Sequence, residues 1–489
     1  MAEITGFTWL YWALMTAYGI TVLSVIVVIL SENRAPVKSL AWVTVLLLLP
    51  AVGLLLYFFF GRNISTKRVI SRRNLRRLKR RESLRRPDFN HLHLSPESIQ
   101  QVRLTHALTG ARFYHGNRAL TYAEGADKFN ALLADIASAR HYIHMQYYII
   151  ADDVIGRRVQ QALIARAREG VKVRIIFDHV GSYGTSSRFF REMREAGIEV
   201  APFFKVVFPL FATRLNWRNH RKIVIIDGTV GYIGGMNIAD RYVTGGKAGH
   251  WRDLHLRVTG PAVASLQFAF AVDWNFMGND LLDETVAPGK PTTAHGDRGG
   301  EKTGEDPVLG MQLITSGPTS HWSNVGMVFM KAIANAKRRV FIMTPYFIPD
   351  ESLLRALQAA SLAKVDVRIM MPRRPDSRML RYASSSYVAE CLRAGIKVYL
   401  YEKGMFHSKA LIIDDELSTV GSTNFDFRSF DHNFEANMFI YSREYNAWLT
   451  EQFKADMADS TRVNPEQWRA RPRPQKILES LTRLLAPIL

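Results

Sequence analysis

His220-Arg-Lys222-Ile-Val-Ile-Ile-Asp227, followed by Gly234-Gly235-Met236-Asn237, recurs later in the chain as His407-Ser-Lys409-Ala-Leu-Ile-Ile-Asp414 and Gly421-Ser422-Thr423-Asn424. The offsets agree: Lys two residues after His, Asp seven after, Asn seventeen after. A doubled match at these four polar positions marks an internal duplication. On an extended segment, residues two apart share a face, so each His stands beside its Lys. The apolar runs beyond each Lys, Ile223–Ile226 and Ala410–Ile413, read as buried strands. A second short strand, 230–233 or 418–420, leads through a glycine-containing turn that returns the Asn amide toward the His and Lys. Two such sets facing each other place two His, two Lys and two Asn around one pocket.

The duplication extends outward from the motifs. Ala139 opens a β-rich run that passes Tyr148 and Asp152, then a helical stretch with Val159, Leu163 and Ala167, then a strand over 171–177. Ala336 opens the matching run, followed by Asp350, a helical stretch with Leu354 and Leu357, and a strand over 365–371. Strand–helix–strand crossovers give parallel pairing. The predicted fold class is therefore α/β, with layers of helix on sheet, twice over. One domain spans 105–283 and the other 308–489. Between them, 284–307 is rich in Gly, Thr, Pro and charge and reads as a linker or loop.

The N-terminal region has a different character. Residues 7–30 and 39–61 are long apolar runs, each of the length needed to span a bilayer as a helix. With Pro36 in the polar stretch between them, residues 1–61 read as a two-helix transmembrane hairpin. A cleavable signal peptide fits poorly, because no basic region precedes Phe7. Residues 62–86 then carry twelve Lys or Arg against the single acid Glu82, a net of +11 out of the chain's +20. This basic juxtamembrane segment, taken as 62–104, places the remainder of the chain on the cytoplasmic side of a bacterial inner membrane. Arg34 and Lys38 in the hairpin loop argue the other way, but they are two against twelve. A cluster this dense also suits anionic headgroups. Hydrophobic residues are 47% of the chain, which excludes disorder as a description of the whole. Cys391 is the only cysteine, so no intramolecular disulfide forms, and its helical surroundings mark it as a packing residue.

The pocket's chemistry derives from its residue types. Lysine and amide groups donate to the oxygens of an anion and suit phosphate. Two imidazoles on opposite sides of phosphorus perform in-line displacement, one attacking while the other protonates the leaving oxygen, with the roles reversed in a second step. A metal site is disfavoured, because each His shares its strand face with a cation. Asp227 and Asp414 complete the motif and are counted with its catalytic residues, although a strand-end position suits a turn cap better than a proton carrier.

At these residues the chain resembles the phospholipase D superfamily, whose hallmark is His-x-Lys-x₄-Asp followed by a Gly/Ser turn and Asn. The resemblance implies two phospholipase D-type α-β-α sandwich domains and a covalent phosphohistidine formed without metal or other cofactor. It makes His220 and His407 the nucleophile and the general acid/base, with His220 the choice of nucleophile. Lys222, Lys409, Asn237 and Asn424 would hold phosphate oxygens. The family orients each His with a downstream carboxylate, and Asp253 and Glu435 lie at suitable separations. Taken with the paired spans, the basic segment, Asn219-His220-Arg-Lys222, the run from Gly421 to Ser429 and the Leu-rich tail, the whole chain is similar to bacterial cardiolipin synthases. That similarity implies union of two phosphatidylglycerols with release of glycerol, at a membrane of anionic lipids. The alternative is a phospholipase D-type hydrolase or another phosphatidyltransferase acting on a membrane phospholipid. A nuclease would also use the same pocket, but the basic excess lies beside the spans, so nucleic acid is not the expected partner. A tethered lipid-binding module without activity would not need both quartets intact. The aromatic stretch 203–211 reads either as a bilayer contact or as a buried strand, and the tail 477–489 either packs on the domain or lies in the membrane interface.

Overall fold

Ile223–Ile226 and Ala410–Ile413 are buried at every position, so each strand needs cover on both faces. The computed structural model describes residues 2–31, 36–57, 74, 93–205, 217–280, 282 and 308–486 and shows how the cover is arranged. In each half, seven strands lie side by side in one order. The first half runs Phe113–Tyr122, His255–Thr259, Val230–Gly234, Ile223–Ile226, Tyr142–Tyr147, Lys172–Asp178 and Glu199–Phe203. The second repeats it with Leu309–Ser316, Asn433–Tyr441, Leu417–Gly421, Ala410–Ile413, Arg339–Met343, Asp366–Pro372 and Lys397–Tyr401. The two sets fuse into one sheet where Phe113–Tyr122 pairs antiparallel with its counterpart Leu309–Ser316. Equivalent strands meeting antiparallel is what a pseudo-two-fold relation between halves requires.

The crossovers are parallel, as expected. Helix Val154–Arg168 joins Tyr142–Tyr147 to Lys172–Asp178, and Glu351–Leu362 joins Arg339–Met343 to Asp366–Pro372. Asp350 caps its helix by accepting from Leu353 N, but in the first half Asp153 takes that role and Asp152 instead pairs with Arg157.

Strand alternation divides the core. Ile223 and Ile225 face a cluster with Leu266, Phe270 and Trp274, whereas Val224 and Ile226 face another with Phe129, Leu132 and Val159. The first of these clusters also takes in Ile412, Phe341, Tyr445 and Phe453 of the second half. Each aliphatic side chain buried there contributes roughly 1.5–3 kcal/mol, so the two halves share one core. Helix Pro96–Thr109 crosses the boundary drawn at 104/105. It packs on the second half, with Val102 in that half's cluster and Gln101 Nε2 donating to Val328 O at 2.8 Å. Cys391 is fully buried in helix Arg378–Arg393.

The N-terminal unit forms helix Ala2–Ser31, whose stretch Tyr11–Ser31 is long and apolar enough to cross a membrane. The second apolar run is not one helix. It is divided into Pro36–Leu48 and Pro50–Leu56, because Pro50 has no N–H to continue the ladder and Leu49 leaves helical geometry at φ −128°, ψ 66°. Ile29, Leu46 and Tyr57 form its small core. The basic residues of 62–86, the linker 284–307 and residues 206–211 of the aromatic stretch lie outside the described residues. Phe203, at the start of that stretch, is a core residue packed on Phe434.

Asp227 and Asp414 end the motif strands with positive φ of 50° and 47°, a conformation that Asp tolerates better than most residues. The Asp227 carboxylate accepts the backbone N–H groups of Arg140, His141 and Tyr142 at 2.7–2.8 Å. Asp414 accepts those of Lys337, Arg338 and Arg339 at 2.7–3.1 Å. Each carboxylate thus gathers three donors that no strand satisfies. Asp227→Ala or Asp414→Ala is expected to destabilise the fold by about 1–3 kcal/mol, read as a lower melting temperature in detergent. Asn at either position should lose less, and an unchanged melting point in the Ala variants would show that the carboxylates do not close these turns.

Candidate active site

Two short cross-pairings between the halves build the site. Arg218–Asn219 runs parallel to the start of Asn433–Tyr441, and Gly404–Phe406 runs parallel to His250–Arg252. His220 N donates to Phe434 O at 2.9 Å, and His407 N donates to Arg252 O at 2.7 Å. The residue after each acceptor is a carboxylate. Glu435 therefore meets His220 Nδ1 at 3.0 Å, and Asp253 meets His407 Nδ1 at 2.6 Å. The exchange is reciprocal: each histidine is oriented by a carboxylate of the opposite half, not by the one downstream in its own. Carboxylates only accept, so each pairing favours the proton on Nδ1 and the lone pair on Nε2; at His407 the Lys409 Nζ also lies 2.6 Å from Nδ1.

The lysines stand where strand alternation placed them. Lys222 Nζ donates to His220 O at 2.6 Å, and Lys409 Nζ donates to His407 O and lies 3.7 Å from Asp253 Oδ2. Both are buried. Asn237 accepts from Ile149 N at 3.1 Å and donates to the Tyr242 hydroxyl at 2.9 Å; that hydroxyl lies 3.5 Å from His407 Nδ1. Asn424 is buried, and among the described residues its Oδ1 has no partner. The structure thus gathers His220, Lys222, His407, Lys409, Asp253 and Glu435, sets Asn237 beside His407 through Tyr242, and leaves Asp227 and Asp414 at the far strand ends.

Several residues of the site had no role assigned from the sequence. Ser422 Oγ donates to Glu435 at 2.5 Å. Its counterpart Gly235 has no side chain because a Cβ there would come within 2.2 Å of Asp253 Oδ1. Arg221, buried between His220 and Lys222 in sequence, donates to Asp273 at 2.6 Å, Ser316 O at 3.0 Å and Glu435 O at 3.1 Å, which anchors the carboxylate strand. The Tyr148 and His220 rings meet edge to face with centroids 5.1 Å apart, and the centroid of the Trp251 ring lies 5.2 Å from that of His407. Position was the available signal for Ser422 and Gly235, which sit inside the repeated turn. Arg221 differs from its counterpart Ser408, so the repeat carried none.

Burial dominates the electrostatics. It pushes His407 down to about 4, helped by Lys409 and opposed by Asp253. Burial likewise lowers His220, with Glu435 opposing and Lys222 assisting. Lys409 falls to about 8 by burial, and Lys222 is driven well below its ordinary value for the same reason. Burial works to raise Asp253, but Lys409 and His407 outweigh it; for Glu435, His220 and Lys222 do the same, so both carboxyls sit below their usual range. The pocket thus combines neutral imidazoles, ionised carboxylates and lysines that gain from the arrival of an anion.

Residues 132–266 and 329–457 each match the family model described as cardiolipin synthase, PLD-like domain. The chain belongs to the cardiolipin synthase family. Residues 19–62 match the model described as phospholipase D-nuclease N-terminal. The major cardiolipin synthase ClsA of Bacillus subtilis is 40% identical, over 96% of this chain and 97% of its own. Cardiolipin synthase 2 of Bacillus cereus is 39% identical, over 94% of this chain and 89% of its own. Among solved structures, the phosphatidylserine synthase of Haemophilus influenzae matches 80% of this chain and all of its own with a TM-score of 0.61 at 15% identity, a likeness of fold. Family membership and the apolar N-terminal helix together associate the protein with a membrane.

A family site built on a neutral buried histidine has a stability signature. His407 is lowered from 6.5 to about 4, so between those pH values the unfolded chain binds a proton that the folded chain does not. Stability therefore rises with pH across this window and is lost as pH falls through it. The melting temperature is expected to drop on acidification from 6.5 toward 4, and to drop less in His407→Gln. Equal slopes in the two proteins would contradict the buried neutral imidazole.

Proposed function

We propose that this chain joins two phosphatidylglycerols into cardiolipin and free glycerol through a phosphatidyl-histidine. The observation that carries the reading is the reciprocal carboxylate exchange, which frees Nε2 of both His220 and His407 for work on one phosphorus. His220 Nε2 attacks the phosphodiester, and the bond from phosphorus to the glycerol headgroup breaks. The anionic substrate raises the proton affinity of His407, whose Nε2 takes up a proton from solvent as the substrate binds and delivers it to the departing glycerol oxygen. His407, now neutral, takes the proton of a hydroxyl on the second phosphatidylglycerol, whose oxygen attacks phosphorus and releases His220. Lys222, Lys409, Asn237 and Asn424 hold the non-bridging oxygens as charge builds there. Glu435 and Asp253 stabilise each imidazolium as it forms. Asp227 and Asp414 act on the fold of the motif, not on the proton.

The apolar N-terminal segments, residues 1–61, cross the inner membrane as a hairpin, and the basic residues of 62–104 hold the remainder on the cytoplasmic side against anionic lipid. Protease added to sealed inverted vesicles is expected to digest the region after residue 93. Digestion only from the opposite side would reverse the orientation.

Purified protein with labelled phosphatidylglycerol in liposomes should yield cardiolipin and glycerol, with or without chelator, and neither His220→Ala nor His407→Ala should turn over. Asp253→Asn and Glu435→Gln should each lower kcat by about 10²–10⁴-fold with a smaller effect on KM. Quenching in alkaline denaturant, in which a phosphoramidate survives, should leave label on the peptide containing His220; label on the His407 peptide would exchange the two roles. Phosphatidic acid as the main product would identify a hydrolase instead.

A further inference from the structure

Helix Arg473–Leu484 is folded with its polarity reversed. Its inward residues are Glu479 and Thr482, whereas Ile477 is 61% exposed, Leu481 56% and Leu484 77%, with Leu478 and Leu485 also exposed. At about 100° per residue, these five aliphatic side chains fall on one arc of roughly 120°, turned away from the residues that pack inward. The inward contacts are polar and specific. Glu479 accepts from Arg471 at 2.6 Å and from Gln475 at 3.0 Å. Arg483 donates to Glu390 and lies 4.3 Å from the centre of the Tyr387 ring, both on helix Arg378–Arg393. These pairs hold the helix with its apolar stripe outward.

We infer that this stripe is a second membrane-contact surface, seated in the interface of an anionic bilayer. Charge selects the occupant. From residue 462 to 483 the chain carries six Lys or Arg against two acids, Glu466 and Glu479, and Glu479 is buried beneath Arg471. Arg473 and Lys476 are exposed and flank the stripe on one side, the pattern of a helix that lies in the headgroup layer. A row one helix wide and three turns long is narrow for a stable protein contact, which uses about 800 Å² per partner. The supporting helix Arg378–Arg393 begins two residues after Asp376, whose charge reaches His407, so the contact rests on an element that borders the site.

The test uses full-length protein in phosphatidylglycerol proteoliposomes, with an environment-sensitive thiol label at Leu481→Cys or Leu484→Cys and, as control, at the exposed Glu351→Cys. Native Cys391 is buried and does not compete. Lipid-borne nitroxide is expected to quench the labels at 481 and 484 at least twofold and the label at 351 little, with aqueous iodide giving the reverse order. Iodide quenching at 481 and 484 equal to that at 351, without nitroxide quenching, would overturn the inference. Pyrene excimer emission from Leu481→Cys that rises with protein-to-lipid ratio would also overturn it, by naming a second copy as the occupant.

Discussion

The interaction on which the rest depends is the hydrogen bond from the histidine of each repeated motif to a carboxylate of the other half, His220 to Glu435 and His407 to Asp253. These carboxylates are fully buried. An ionised carboxylate in such a place is tolerable only with partners, and the imidazole N–H and the buried lysine supply them. Removing the opposite half would leave a charge unpaired in each. The halves consequently build one site between them, and the backbone pairings of Asn219 with Phe434 and of Phe406 with Arg252 set the alignment.

The sheet makes that alignment rigid. Because Ile223 and Ile225 face one cluster and Val224 and Ile226 the other, the motif strand is locked from both sides, and a shift of one residue would turn apolar side chains toward the wrong layer. The cluster shared by Phe270 and Phe453 spans both halves, so the core that stabilises each motif strand also fixes the distance between them. Glycine at 235 and serine at 422 mark where the twofold pattern is broken for chemistry. One leaves room for Asp253, and the other donates a hydroxyl to Glu435.

Much of this was legible beforehand. The period-two placement of His and Lys, the apolar strand after them, and the parallel crossovers through helices Val154–Arg168 and Glu351–Leu362 are all encoded in local pattern. So were the candidate carboxylates, though not their exchange, because spacing along the chain carries no information about which half a strand end will pair with. Arg221 was hidden for a related reason: its partners Asp273, Ser316 and Glu435 lie 52, 95 and 214 residues away. The break at Pro50 was visible as a residue, yet hydropathy averages across it. The outward apolar stripe on Arg473–Leu484 had the spacing of an ordinary core helix, and only the packing of Glu479 and Arg483 revealed which side faces in.

By itself, then, the sequence determined the duplication, the α/β architecture, the apolar N-terminus and the residue types of a phosphate-handling site, since each is encoded in periods of two to four residues or in an offset repeated twice. The tertiary structure alone decided which carboxylate serves which histidine, how far the buried imidazoles are held from protonation, and which face of the last helix is left outside. Those are properties of contacts between separate segments, 93 residues apart for Arg483 with Glu390 and 215 for His220 with Glu435, and of the water those contacts exclude, and no local pattern specifies either.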